Sequence, residues 1–339
     1  MAARRVSSRS IANPVDALPT TGAPGEFREH ALTLPEAAAG LRFDRALAQA
    51  LPQYSRARLQ DWIRSGAVQV EGRLLRARDA VLGGEQVRIA LRLPREAEVV
   101  AEPLPIEVVF QDEALVVINK PAGLVVHPGA GNSSHTLQNG LLAFAPELAL
   151  VPRAGLIHRL DKNTSGLLLV ARTPESYTAL VRAMAAREIT REYLAVCNGV
   201  MTSGGTIEEP IGRHRTQRTR MAVRSDGRPA VTHYRVARRY RAHTLVRVTL
   251  ETGRTHQIRV HLAHAGFPII GDPVYGGRRR IPARCPTALA AQLNSFGRQA
   301  LHAARLLLEH PLNGREYEWQ APLPADMQAL LGALEADRR

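Results

Sequence analysis

Beyond residue 105 the apolar residues come in short runs, and that rhythm limits the fold more than any other feature of the chain. The runs at 106–110, 115–119, 167–172, 193–197, 231–234 and 245–251 are bounded by turn-forming or charged residues, as strands are. Helical spacing is rarer, chiefly at 174–187, 255–265 and 326–334. Strands in succession with interspersed helices predict an α+β domain with a mixed, largely antiparallel β-sheet flanked by helices and loops. No internal repeat is visible.

A second region precedes this one. Residues 1–30 carry Pro, Gly, Ser and Thr without periodicity and read as a disordered tail. Residues 31–92 read as a small α/β module. Apolar residues at helical spacing run from Leu41 to Leu51, and Ser55 is placed to cap a helix over 56–65 with Leu59, Trp62 and Ile63 on one stripe. Gly66 ends that helix, and strand-like stretches follow at 68–71 and 86–91. Its helices carry Arg42, Arg45, Arg56, Arg58 and Arg64. Residues 93–104, with Pro94 and Pro103 among charges, read as a linker to the larger domain at 105–339.

The charge narrows the function. The chain of 339 residues carries 45 basic against 31 acidic side chains, a net charge of +14, and Lys120 and Lys162 are its only lysines. Such a balance points to a polyanionic partner, above all nucleic acid. Arginines cluster at Arg213, Arg215, Arg218 and Arg220, then at Arg235, Arg238, Arg239 and Arg241 around Tyr234 and Tyr240, and at Arg278, Arg279 and Arg280. Charge with interleaved aromatics is what a nucleic-acid track needs. Cys197 and Cys285 are too few for a disulfide framework. No apolar run reaches the ~18 residues of a spanning helix, and the N-terminus lacks the apolar core of a secretory signal. The expectation is a cytoplasmic protein without a membrane partner.

The densest polar constellation lies at 155–166, where Asp161 stands between Arg159 and Lys162. Nearby positive charge favours an ionised carboxylate, which can act as nucleophile or base. A turn aspartate bonding its own backbone explains the same string. The stretch imitates the start of a calcium loop, but the twelfth position is Arg172 rather than Glu. A second constellation, 252–262, offers Thr255 as a helix cap, Arg254 and Arg259 near the helix start, and Ile258, Leu262 and Ala265 facing a core. The spacing of His256, His261 and His264 fits no common zinc pattern. There is neither a P-loop nor a dinucleotide fingerprint, so the expected chemistry uses no cofactor and no metal.

These motifs together resemble the ribosomal RNA pseudouridine synthases of the large-subunit synthase A type. The likeness covers roughly residues 105–325. It is carried by Lys120, Pro121 and Gly123 with His127 and Pro128; by 155–166; by Arg187, Arg191, Glu192 and Tyr193; by His233 and Tyr234; by 251–262; by Gly271, Asp272, Tyr275, Gly276 and Gly277; and by His302. Residues 32–91 are similar to an S4 RNA-binding module, with Glu71 where Asn is common. The resemblance implies the pseudouridine synthase fold and a reaction that breaks the uridine N1–C1′ bond, turns the uracil and rejoins it through C5. It implies Asp161 as the catalytic carboxylate, acting through an acylal or a glycal, with Arg259 as its ion-pair partner. Tyr193 would stack on the uracil and handle the C5 proton, for which a hydroxyl of ordinary pKa near ~10 is a poor base unless the site lowers it. Ile258 would pack beneath the ring. Arg159 would fill the space of the flipped base, with His158, Arg254 and the S4-module arginines contacting RNA. The implied partner is 23S ribosomal RNA in the large-subunit precursor, at the helix 69 stem-loop, and the implied state is a monomer. A sister synthase acting at another large-subunit site, or a ribosome-assembly RNA-binding protein, are the competing readings.

Overall fold

The computed structural model describes residues 27–51, 54, 56–92, 99–129, 131–217, 219–277 and 281–338. Residues 1–26, Ser55, 93–98, Arg218 and Arg278 to Arg280 lie outside that set, as does the side chain of Arg58. The chain divides into two compact units between Glu98 and Val99.

The first unit is a three-stranded antiparallel sheet with two helices. Strand β1 (Phe27–Thr33) is followed by α1 (Phe43–Ala50), α2 (Arg56–Arg64), β2 (Val68–Val70) and β3 (Gln86–Arg92), with β3 central. Strand β1 reaches into the stretch read as tail. FREHALT carries little apolar signal of its own, and its pairing of Leu32 with Val87 and Thr33 with Gln86 supplies the order. Phe43, Leu47, Leu59, Val68 and Ile89 form a buried core. Asp44 is buried in the first turn of α1 and accepts hydrogen bonds from Gln60 (2.6 Å), Arg56 (2.8 Å) and Arg42 (3.2 Å).

The second unit begins where a linker was expected. Val100 accepts a hydrogen bond from the Asn139 amide at 2.8 Å, the Glu102 amide donates to the Asn139 carbonyl at 3.0 Å, and the Glu102 carboxylate accepts from the His135 amide. Nine strands follow: β4 (Val108–Gln111), β5 (Leu115–Lys120), β6 (Ser165–Ala171), β7 (Thr190–Asn198), β8 (Gly205–Glu208), β11 (Val231–Arg239), β12 (His243–Leu250), β13 (Leu301–Glu309) and β14 (Glu316–Gln320). A separate hairpin pairs β9 (Ile211–Arg213) with β10 (Met221–Val223). The sheet order is β4-β5-β6-β13-β7-β12-β11-β8, with β14 pairing β13. Pairing is antiparallel throughout except between β6 and β13, where His302 lies opposite Ser165 and Ala303 opposite Gly166.

Helices cover both faces of this sheet. In β5 and β6 successive side chains divide between two cores, as the two-residue period of a strand requires. Val116, Ile118, Leu168 and Val170 belong to the core that also takes in residues of α3 (Leu137–Phe144), α5 (Gln257–His264), α6 (Thr287–Ser295) and α7 (Ala325–Ala336). Leu115, Val117, Leu167 and Leu169 face α4 (Pro174–Ala186) and Trp319. Burial on both faces makes these strands read as continuous apolar runs. The α+β, largely antiparallel architecture follows the sequence expectation. Among the described residues no helix is long and apolar enough to cross a membrane.

Candidate active site

Asp161 sits on the loop from a tight turn at Pro152–Gly155 to β6. Glycines clamp both ends of this loop. Gly155 has φ +76°, and a Cβ there would lie 1.9 Å from the Ala171 carbonyl oxygen. Gly166 has φ +111°, and a Cβ would lie 2.1 Å from the Ala303 oxygen, so the backbone of β13 passes directly over it. Between them the loop is tied from below. Lys120, buried at the end of β5, donates from Nζ to the carbonyls of Pro121 (2.6 Å), Leu124 (2.9 Å) and Lys162 (3.1 Å). Arg298 donates to the Asn163 carbonyl and Gln299 to Thr164 Oγ1. Burial pushes the Lys120 ammonium down to about 7, with Asp161 opposing and Arg298 adding to the shift.

Opposite the loop, α5 presents Arg259. Its NH1 donates to Asp161 Oδ2 at 2.9 Å, while Nε and NH2 form a bidentate pair with Asp272 at 2.7 and 2.9 Å. Burial disfavours the guanidinium charge, but the two carboxylates outweigh it and hold Arg259 charged. Burial likewise disfavours ionised Asp272, yet its bonds to Arg259 and to the amides of Tyr275 and Val274 keep its carboxyl below the usual range. Asp272 thus fixes Arg259, and Arg259 fixes Asp161.

Thr255 does not cap α5. The cap position is His256, in the left-handed region at φ +58°, because the Gln257 side chain accepts from the Arg254 amide at 3.0 Å and donates to the Val231 carbonyl. That turn carries His256 Nε2 to 3.9 Å from Asp161 Oδ1, the oxygen Arg259 leaves free. Its Nδ1 lies 2.8 Å from the Tyr275 hydroxyl, which also accepts from the Met221 amide at 2.9 Å. Burial pulls the His256 imidazole down against the two nearby carboxylates. Sequence reasoning weighed His256 only as a metal ligand and gave Asp272 and Tyr275 no role, since their partners lie far away along the chain. Among the described residues no three His, Cys, Asp or Glu side chains gather as a metal site.

Tyr193 reaches the same cleft from β7, paired across the sheet with Val248 and Ala303. Burial pushes its hydroxyl above the ordinary value, with the Arg191 charge opposing the shift. Ile258 is buried and lines the cleft beside it. The cleft, about 710 Å³, is also lined by His158, Arg159 and Arg254. Arg159 is exposed, with NH1 3.5 Å from His127 Nε2, and Arg254 donates from Nε to the Pro229 carbonyl. An anchored carboxylate facing a wide basic cleft can attack or deprotonate a bound ligand in water-accessible surroundings.

Several of the arginines expected to contact RNA also have protein partners while staying exposed. Arg42 and Arg56 bracket buried Asp44, and Arg64 pairs with Asp61 at 2.9 Å. Arg45 is exposed. In the second unit Arg241 pairs with Asp337, Arg238 with Glu335, and Arg239 donates to the Met201 and Thr202 carbonyls. Arg238 and Arg239 lie on β11 and Arg241 just beyond it, so part of this cluster's charge is shared with protein partners.

A family model described as RNA pseudouridylate synthase matches residues 114–264, and an S4 domain model matches 41–87. The chain is 52% identical over 306 residues to the ribosomal large subunit pseudouridine synthase D of Escherichia coli O157:H7, covering 90% of this chain and 94% of that protein. It is 51% identical over 310 residues to the protein of the same description from Pseudomonas aeruginosa, covering 91% and 97%. Among solved structures it resembles human RNA pseudouridylate synthase domain containing 4, at 28% identity and a TM-score of 0.53, over 68% of this chain and 93% of that one. Human RNA pseudouridylate synthase domain containing 1 aligns at 26% identity and a TM-score of 0.50.

Proposed function

We propose, for a chain that belongs to the RNA pseudouridine synthase family and carries an S4 domain, that it isomerises uridines of large-subunit ribosomal RNA with Asp161 as the catalytic carboxylate. The observation that carries the assignment of Asp161 is its ion pair with Arg259, itself gripped by Asp272, at the wall of a cleft that Tyr193 and Ile258 also line. Relatives described as large-subunit synthases over nine-tenths of the chain support the ribosomal substrate.

The reaction conserves every atom of the nucleotide. The N1–C1′ bond breaks, the uracil turns, C5 bonds to C1′, the C5 proton leaves and N1 gains one. Asp161 contributes either by attacking C1′, giving an acylal, or by taking the C2′ proton, giving a glycal. Its Oδ1, which Arg259 leaves free, is the reacting oxygen in both cases. Tyr193, at the cleft wall, supplies a ring face for the turning uracil. The carboxylate of Asp161, once released, and the His256 imidazole 3.9 Å from it are the groups within reach that can receive the C5 proton. Target uridines stacked in a helix or loop hide C1′ and must be flipped out; exposed Arg159 at the cleft is placed to occupy the gap.

The finer substrate is the helix 69 stem-loop of 23S ribosomal RNA, acted on in the assembling large subunit. Nucleotide-resolution pseudouridine mapping of unmodified large-subunit RNA and particles treated with the protein tests this. New pseudouridines in helix 69 are expected. Marks confined to other large-subunit sites move the chain to a sister specificity, and no mark on either substrate refutes the enzyme reading in favour of an assembly factor.

A further inference from the structure

Strand β7 sends a second side chain into the cleft. Arg191 lies two residues before Tyr193, hence on the same face and ~6.6 Å away along the strand. It is 8% exposed, lines the cleft, and its Nε is buried without a hydrogen-bond partner. Every described carboxylate leaves it unpaired, whereas the comparably buried Arg259 has two. Gly253 leaves room for it, since a Cβ at that position would lie 3.2 Å from Arg191 NH1.

The neighbouring group is also a donor in want of an acceptor. The Leu169 amide donates to His158 Nε2 at 3.2 Å, so in the neutral ring the proton sits on Nδ1. That Nδ1 is buried and unpartnered. Burial first, and the Arg191 charge second, drive the His158 imidazole down to about 3; the Arg159 carbonyl favours the charged ring but lies outside bonding geometry with Nδ1.

A buried guanidinium with no counter-charge is costly, and a neutral carbonyl ligand would satisfy its N–H groups but not its charge. A phosphodiester does both, and matches the guanidinium fork. We propose that Arg191, with the Nδ1–H of His158 beside it, forms a built subsite for one phosphodiester of the RNA strand next to the nucleotide that Tyr193 faces. This rests on the RNA isomerase reading and adds a specific backbone contact to it.

The test uses the full chain and a helix 69 stem-loop RNA made as a series, each member carrying one uncharged methylphosphonate linkage around the target uridine. Affinity is measured for the wild type, Arg191→Met and Arg191→Lys. One linkage should weaken wild-type binding about tenfold, ~1.4 kcal/mol, and cause no further loss with Arg191→Met. Arg191→Lys, which keeps charge without the fork, should recover part of the loss. Equal losses for Arg191→Met across the whole series, or wild-type binding indifferent to every linkage, would overturn the subsite. A wild type that discriminates one linkage yet leaves the uridine unchanged would sink the functional reading and spare the subsite.

Discussion

Replacing Asp272 with Asn probes the chain of support behind the proposed catalytic carboxylate. The amide oxygen can still accept from the Val274 and Tyr275 amides, but the Nδ2 group now faces a guanidinium that has only hydrogens to offer. Arg259, about 5% exposed, is left with Asp161 as its single anion. Breaking one partner of a buried pair costs about 3–5 kcal/mol. Because the substitution keeps the volume and two backbone bonds, a loss near the lower end, about 3 kcal/mol, is expected. For a unit of this size that lowers the melting temperature by about 6–12 °C. Arg259 no longer fixed from behind lets Asp161 drift, and a misplacement of ~1 Å costs up to about 100-fold in rate. Turnover should therefore fall about 10- to 100-fold with KM little changed, read by loss of a C5 hydrogen label from the RNA alongside a thermal melt. An Asp272→Asn protein with wild-type kcat and melting temperature would refute the idea that Asp272 positions the site through Arg259.

Three further outcomes follow from the same geometry. The folded-state Lys120 ammonium titrates near 7 and the unfolded one near 10.5, so the unfolded chain holds the extra proton between those values. Stability should rise with pH across that window, by at most about 5 kcal/mol, and urea unfolding at pH 7, 8 and 9 should show a slope that Lys120→Met lacks; parallel curves would count against the buried charge. Gly166→Ala drives a Cβ to 2.1 Å from the Ala303 oxygen at a left-handed φ, so β6 and β13 must separate. It should destabilise the second unit by more than about 3 kcal/mol, and an unchanged melting curve would contradict the register described. Since burial raises the Tyr193 hydroxyl, wild type and Tyr193→Phe should have parallel kcat–pH profiles between pH 6 and 9, and a limb present only in wild type would restore a base role to the tyrosine.

The sequence made the two-sided sheet legible because β5 and β6 are apolar on both faces, and it made α4 and α5 legible through their spacing. Strands β13 and β14 were not, since LHAARLLLE fits helix as well as strand until its partners β6, β7 and β14 are known. Helix α6, at Thr287–Ser295, was not legible either. At the site, Asp161 and Arg259 were readable as charged residues in dense polar motifs. The second carboxylate on Arg259, the left-handed turn at His256 and the orphaned donors of Arg191 and His158 were not, because each depends on distant contacts or on their absence. The arginine clusters were legible as charge but not in their pairing. Composition registers charge but not the acidic residues at Asp44, Glu335 and Asp337 that hold part of it.

Whether Asp161 performs the isomerisation is read directly from pseudouridine formation on the helix 69 stem-loop by wild type and Asp161→Asn under single-turnover conditions. The asparagine preserves the shape of the loop and an acceptor for Arg259 while removing the nucleophile or base. Full conversion by the wild type is expected, with a rate at least about 10⁴-fold lower for the variant, equal to about 5.4 kcal/mol of barrier, and RNA affinity retained. Conversion by Asp161→Asn within tenfold of wild type would contradict that role for Asp161.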